Sequence, residues 1–162
     1  MSDKRQQLEQ QIRDCYAGWS GSYYRDWYQA GGGLPPHVEL LKSLLQDAGA
    51  RSVLDAGCGP ASFLRCLDPA RHDCYGFDLT PEMITEAKRV AAETGMSPEH
   101  FWTASILDGP LARGPGGEGL DSYDAVISAG VIPHIPEEAD RPLLENLVAA
   151  ARPGGLVAVQ GR

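Results

Sequence analysis

The chain has 162 residues, 43% of them apolar and 22% charged, which suits one soluble globular domain with its own core and excludes a disordered chain. Twenty-two acidic residues against 14 basic ones give a net charge of −8, a poor match for duplex nucleic acid. No apolar run approaches the ~20 residues of a membrane span, the first residues lack the apolar core of a secretory signal, and Cys15, Cys58, Cys66 and Cys74 show no Cys-x-x-Cys spacing, so they read as free thiols of a reducing cytoplasm rather than as a metal site.

Taken in order, residues 3–19 read as a helix. Leu8, Ile12, Cys15, Tyr16 and Trp19 recur at spacings of three and four and form one apolar stripe, while the remaining Lys, Arg, Gln and Glu form a solvated face. An aromatic cluster follows (Trp19, Tyr23, Tyr24, Trp27 and Tyr28), then the break Ala30-Gly31-Gly32-Gly33-Leu34-Pro35-Pro36, which reads as a hinge. A second helix is predicted over 37–48 with Leu40, Leu41, Leu44 and Leu45 inward and Gly49 as its C-terminal cap.

The first strand, 52–56, leads into Gly57-Cys58-Gly59, and Phe63, Leu64 and Leu67 mark a short helix ended by Asp68-Pro69. Cys74-Tyr75-Gly76-Phe77-Asp78 is the second strand. Thr80 and Pro81 then suit the N-cap and first position of a helix over 81–94, with Met83, Ile84, Ala87, Val90 and Ala91 buried. The third strand spans 100–104 and the fourth 123–128. Between them, residues 109–121 are rich in Gly and Pro and are expected to be a mobile loop. A helix over 137–151 and a fifth strand over 156–159 complete the chain, with no internal repeat. The alternation of strands and helices specifies an α/β fold, a doubly wound parallel sheet.

Val53, Leu54 and Asp55 before Gly57-x-Gly59 have the form of a buried parallel strand feeding a ligand-binding turn. The glycines permit a tight turn and a close approach of ligand to backbone, and the predicted helix after the turn presents unpaired N–H groups. The third glycine of the dinucleotide fingerprint is absent, since position 62 is serine. Asp55 would repel a pyrophosphate and favours a ligand with a positive centre and no phosphate. Asp78, at the end of the second strand, stands at the spacing where an acid holds ribose hydroxyls in doubly wound folds.

The segment Val53-Leu54-Asp55-Ala56-Gly57-Cys58-Gly59-Pro60 resembles motif I of the class I S-adenosylmethionine-dependent methyltransferases. Asp78-Leu79-Thr80-Pro81-Glu82-Met83, the segment Ala129–Pro136 with His134, and the closing Arg152-Pro153-Gly154-Gly155-Leu156 resemble the same family. The resemblance implies a Rossmann-like core of five strands ordered 3-2-1-4-5 over 37–162, and a helical lid and hinge over 1–36. It implies S-adenosyl-L-methionine as cofactor and a small-molecule methyl acceptor, with no nucleic acid or membrane partner. By that resemblance Asp55, Gly57 and Gly59 hold the methionine moiety and its cation, Asp78 fixes the ribose, and Leu79 and Met83 belong to the same cofactor site. Ile106 or Leu107 packs on the adenine, Asp108 bonds its amino group, Ser128 offers a main-chain contact, and Tyr23 or Tyr24 reaches the methionine end from the lid. His134 is the candidate general base, since histidine titrates near neutrality; its other reading is a brace for its loop.

The family's sheet continues beyond a fifth strand, whereas this sequence stops shortly after it. The fifth strand is therefore expected to be an apolar edge, which a fragment, a partner subunit or a second copy, or a degenerate domain would each account for; a fragment is favoured. The competing functions are a non-catalytic S-adenosylmethionine-binding or scaffold domain and, more remotely, an NAD-dependent oxidoreductase.

Overall fold

A computed structural model of the protein describes residues 3–161; residues 1, 2 and 162, at the ends of the two predicted segments, lie outside the described residues. Five strands form one parallel sheet: β1 (Ser52–Ala56), β2 (Asp73–Asp78), β3 (Phe101–Thr103), β4 (Tyr123–Ser128) and β5 (Ala151–Val159). Their order is β3-β2-β1-β4-β5, with every pair parallel, as expected. The order reverses between β1 and β4, and that reversal opens a crevice at the carboxyl ends of both strands.

Alternation along the strands feeds two cores. Val53, Cys74, Ala125 and Ile127 face one side, where α2 (Pro36–Asp47) contributes Val38, Leu41 and Leu45, and α3 (Pro81–Thr94) contributes Ile84, Ala87 and Val90. Leu54, Phe77, Tyr123 and Val126 face the other, under Leu143 and Leu147 of α4 (Asp140–Ala150). Helices on both faces explain why the strands read as apolar runs rather than as an alternation of apolar and polar residues. In α2 the inward set is shifted from the predicted one: Leu40 is 60% exposed, because Val38, Leu41 and Leu45 already fill the three- and four-residue spacing.

Three element boundaries differ from expectation, each for a local reason. No full helix follows the glycine turn, only a three-residue 3-10 turn at Leu64–Cys66. Ala61 takes a left-handed φ of 56° on one side, and Leu67 is already extended on the other, before Asp68-Pro69. The helix after the fourth strand begins at Asp140 behind a short turn at Glu137–Ala139. Pro142 has no N–H to donate, so it is tolerated only in a first helical turn. β5 starts at Ala151, directly after α4, and its register against β4 slips between Tyr123 and Ala125, so that residues 152–155 bulge out.

The segment 109–121, expected to lack order, is tied down. Leu111 and Ala112 are buried. The Tyr123 hydroxyl donates to the Ala112 carbonyl (2.8 Å) and accepts from the Leu120 N–H (3.0 Å). Arg113 pairs with Asp121 and donates to the Gly117 and Gly119 carbonyls. One buried tyrosine from the strand supplies the anchor that the loop's own composition lacks.

α1 (Asp3–Ala17) lies beside α3 and roofs the crevice. Leu8, Ile12 and Tyr16 of the predicted stripe face inward, but Cys15 is exposed. Glu9, assigned to the solvated face, is the buried residue of this helix. No helix among the described residues is long and apolar enough to cross a membrane.

Candidate functional site

The crevice is floored by the turn after β1. Gly57 and Cys58 both donate their N–H groups to the Phe77 carbonyl at the end of β2 (2.9 Å each). Gly57 and Gly59 hold φ values of 87° and 53°, a region that glycine enters without steric cost. A Cβ on Gly57 would also meet Val131 Cγ2 at 2.3 Å. Gly57→Ala is therefore expected to lower the thermal midpoint by about 5–10 °C, equivalent to about 2–3 kcal/mol. Adding Val131→Ala relieves the clash but not the backbone strain, so differential scanning calorimetry should show only partial recovery.

Asp78 stitches this turn to the next. One carboxylate oxygen accepts the Gly59 N–H and the other the Thr80 N–H, both at 2.9 Å. Burial pushes its pKa up, opposed by those backbone donors, Thr80 first. Asp55 is 4% exposed. Burial, and then the neighbouring charge of Asp78, push it up to about 7.

Two cavities adjoin at this point. The larger encloses about 800 Å³ with its open mouth included. Gly57, Gly59 and Asp78 form its floor, with Leu79, Met83 and Leu107 along one wall and Tyr23 and His134 toward the other end. The smaller is lined by Asp55, Ser62, Tyr28 and Phe63 and shares Tyr23, Gly57 and Gly59 with the larger. Asp55 thus faces the side chamber, and among the described residues no lysine or arginine lines either space.

Three of the predicted residues stand elsewhere. Asp108 is outside both cavities, its carboxylate paired with Arg5 of α1; the loop turns it to the surface, where a cation holds it. Tyr24 lies under the Arg65 guanidinium, 3.9 Å from ring centre to Cζ, and stacks on Tyr28. Ser128 is buried, and its hydroxyl donates to the Ala56 carbonyl at 3.0 Å, bracing β4 against β1.

Sequence reading passed over three residues that the fold brings to the cavities. Tyr16 was assigned to packing, but its hydroxyl lies 2.9 Å from His134 Nε2 across the larger cavity. Ser62 stood only for a missing glycine, yet its hydroxyl is buried beside Asp55 without a hydrogen-bond partner. Glu9 lies three and seven residues from Ile12 and Tyr16, a helical spacing that does mark it as sharing their face. Among the described residues there is no group of three or more His, Cys, Asp or Glu that could hold a metal ion.

A parallel doubly wound sheet with a glycine turn and two acids at its switch point defines a cofactor-binding α/β domain. Residues 53–155 match the domain family described as "Methyltransferase domain", and the chain belongs to that family. It is 32% identical over 119 residues to a 2-heptyl-1-hydroxyquinolin-4(1H)-one methyltransferase of Mycobacteroides abscessus, covering 74% of this chain and 49% of the relative. A ubiquinone biosynthesis O-methyltransferase of Methylococcus capsulatus is 26% identical over 144 residues, covering 85% and 56%. Among solved structures, a TehB-like SAM-dependent methyltransferase from Corynebacterium glutamicum shares the fold with a TM-score of 0.65 and 25% identity, over 87% of this chain and 72% of that one. The magnesium protoporphyrin IX methyltransferase of Synechocystis, solved with bound SAM, shares it at 0.64 and 22%, over 89% and 72%. The chain spans about half the length of the curated relatives it matches.

Proposed function

We propose that this chain holds S-adenosyl-L-methionine in the paired cavities and serves as the cofactor-binding core of a methyltransferase acting on a small molecule. The observation that carries the reading is the charge pattern. Asp55 is buried beside Asp78 at the floor, and no lysine or arginine among the described residues lines the walls. A pyrophosphate would meet two carboxylates here with nothing to neutralise it, which argues against a nicotinamide dinucleotide. A ligand with a sulfonium, an ammonium and a ribose diol finds acceptors for each.

The residues present fit that ligand. Asp78 has unused lone pairs for the ribose hydroxyls. Ser62, with an unpartnered buried hydroxyl, and Asp55 suit the carboxylate and ammonium of the methionine end in the side chamber. Tyr23 borders both chambers and closes that end from the lid, which with its hinge comprises residues 1–36 over a core of 37–162. Leu79, Met83 and Ile106 or Leu107 pack on the base. When bound, the cofactor supplies an electrophilic methyl group, and the chain's own work is orientation and proton handling.

His134 takes the proton of a hydroxylated acceptor. Burial, ahead of the charges of Cys15 and Asp78, holds the Tyr16 hydroxyl above its ordinary range, so Tyr16 stays protonated, and in the His134 tautomer that leaves Nε2 without a proton it donates there. An acceptor hydroxyl that replaces Tyr16 there hands its proton to the same nitrogen. Relatives named for a hydroxyquinolinone and for O-methylation in ubiquinone biosynthesis favour such an acceptor. Four free thiols agree with a cytoplasmic setting, and a second copy or a partner is proposed to cover the outer edge of β5.

Isothermal calorimetry with S-adenosylhomocysteine tests the core of this reading, and absence of binding would sink it. For the base, His134→Ala should lower kcat about 100-fold or more on phenol and N-hydroxy acceptors while leaving S-adenosylhomocysteine affinity within about threefold. Unchanged turnover removes His134 from proton transfer. Tight cofactor binding with no methyl transfer to any acceptor would leave a non-catalytic cofactor-holding domain.

A further inference from the structure

Glu9 lies outside the span of the family match and belongs to the roof, not the sheet. Its side chain is 9% exposed and borders the larger cavity. One carboxylate oxygen is fully engaged: Oε1 accepts Arg5 Nε at 2.9 Å and the Ser105 hydroxyl at 2.7 Å. The other, Oε2, has Arg13 at 3.6 Å, beyond hydrogen-bond distance. Oε2 therefore keeps acceptor capacity at the cavity wall.

The topology says which part of a ligand reaches it. From Asp78 the cavity runs in two directions. Toward β4 it meets Gly57, Tyr23, His134 and the side chamber. Toward β3 it passes Leu79 and Met83 and ends at 104–107, where the Ala104 N–H bonds the Asp78 carbonyl. That second arm is mostly apolar, walled by Leu8, Ile12, Met83, Ile106 and Leu107, with Thr80 beside Asp78 and Glu9 and Ser105 farther along as polar side chains. With the ribose on Asp78, the flat base lies in the β3 arm and the amino-acid tail in the other. The Ser105 hydroxyl donates its hydrogen bond to Glu9 and accepts from the Leu107 N–H at 3.2 Å, so its one O–H is already engaged. What the arm offers is a carboxylate acceptor in an apolar slot, which demands a ligand N–H.

Resting on the cofactor reading above, we infer that Glu9 reads the exocyclic amino group of the cofactor's purine, so that base identity is checked by the N-terminal helix and not by the sheet. Asp108, held by Arg5 at the surface, is free of that task, and its ion pair instead helps fasten the helix that carries Glu9. A purine with a carbonyl in place of the amine would set oxygen against carboxylate.

The test compares two ligands by calorimetry: S-adenosylhomocysteine, and the same molecule with hypoxanthine for adenine. The unaltered chain should prefer adenine by about 10- to 100-fold, the worth of one hydrogen bond to a charged acceptor. Glu9→Ala also loosens the roof, so affinity for both ligands should fall, but their ratio should collapse to within about threefold. Glu9→Gln, whose amide oxygen still accepts, should retain part of the preference. A ratio unchanged in Glu9→Ala, or absent in the unaltered chain while S-adenosylhomocysteine still binds, overturns the role of Glu9 and leaves the cofactor reading intact. Failure of the unaltered chain to bind either ligand overturns the cofactor reading itself.

Discussion

Asp78→Ala should weaken S-adenosylhomocysteine binding by at least about 100-fold and lower stability in the same variant. The carboxylate serves two structures at once. Inward, it accepts the N–H groups of Gly59 and Thr80, which fix the glycine turn relative to the start of α3. Outward, its remaining lone pairs are the acceptors available to a ribose diol. Each hydrogen bond to a charged acceptor contributes about 1.5–3 kcal/mol, so loss of two to the ligand corresponds to about 10²–10⁴ in affinity. Stranding two backbone N–H groups costs a further ~1–3 kcal/mol each where water cannot replace the acceptor.

Asp78→Asn is the sharper variant. Both oxygens already face N–H donors, so whichever way the amide turns, its NH2 meets one of them. Its binding loss should approach that of alanine, although size and polarity are nearly conserved. Wild-type affinity in Asp78→Asn, measured by calorimetry, would show that the carboxylate is not the ribose acceptor.

The sheet was legible because its strands are short apolar runs that end in marked residues: Asp55 before Gly57, Asp78 before Thr80-Pro81. Those side chains report their own surroundings, since a buried acid after a run of apolar residues needs a strand terminus to place it. The order of strands came from family resemblance. Helix α3 was readable at its start, where Thr80 and Pro81 mark it, and the structure ends it at a left-handed Gly95. What was hidden depended on contacts between distant segments. Nothing local tells that Arg5 captures Asp108, that Tyr123 pins residues 112 and 120, or that Tyr24 turns to Arg65 while Tyr23 turns to the cavity. Glu9 was misplaced for a related reason. Polarity assigned it to solvent, whereas its spacing to Ile12 and Tyr16 put it on the roofing face, and only the partner residues Arg5 and Ser105 make burial of that carboxylate tolerable.

Asp55 yields a pH dependence whose sign is fixed by its burial. Its folded-state pKa, about 7, lies above the ordinary 3.8, so between those values the folded chain holds a proton that the unfolded chain has released. The associated stability is fully present below pH ~4 and lost as pH rises through 7. Three pKa units correspond to about 4 kcal/mol. Asp124, whose pKa is lowered by the Ser52 and Arg51 N–H groups and by Arg152, contributes with the opposite sign and only at lower pH, where it loses its charge. The cofactor-free chain should therefore lose stability between about pH 4 and 7, and Asp55→Asn should flatten that slope, which urea titrations at each pH would measure. Cofactor affinity runs the other way, because a sulfonium and an ammonium favour the ionised acid. At pH 6 about one tenth of a group with pKa near 7 is ionised, so S-adenosylmethionine affinity should fall about tenfold from pH 8 to pH 6. S-adenosylhomocysteine, which lacks the sulfonium charge, should lose less over the same range. In Asp55→Asn both profiles should keep only the ligand's own titration. An unaltered chain whose affinity for the two ligands responds identically to pH would show that the acid in the side chamber does not sense the sulfonium, and the methionine end would have to be assigned to the opposite arm of the cavity.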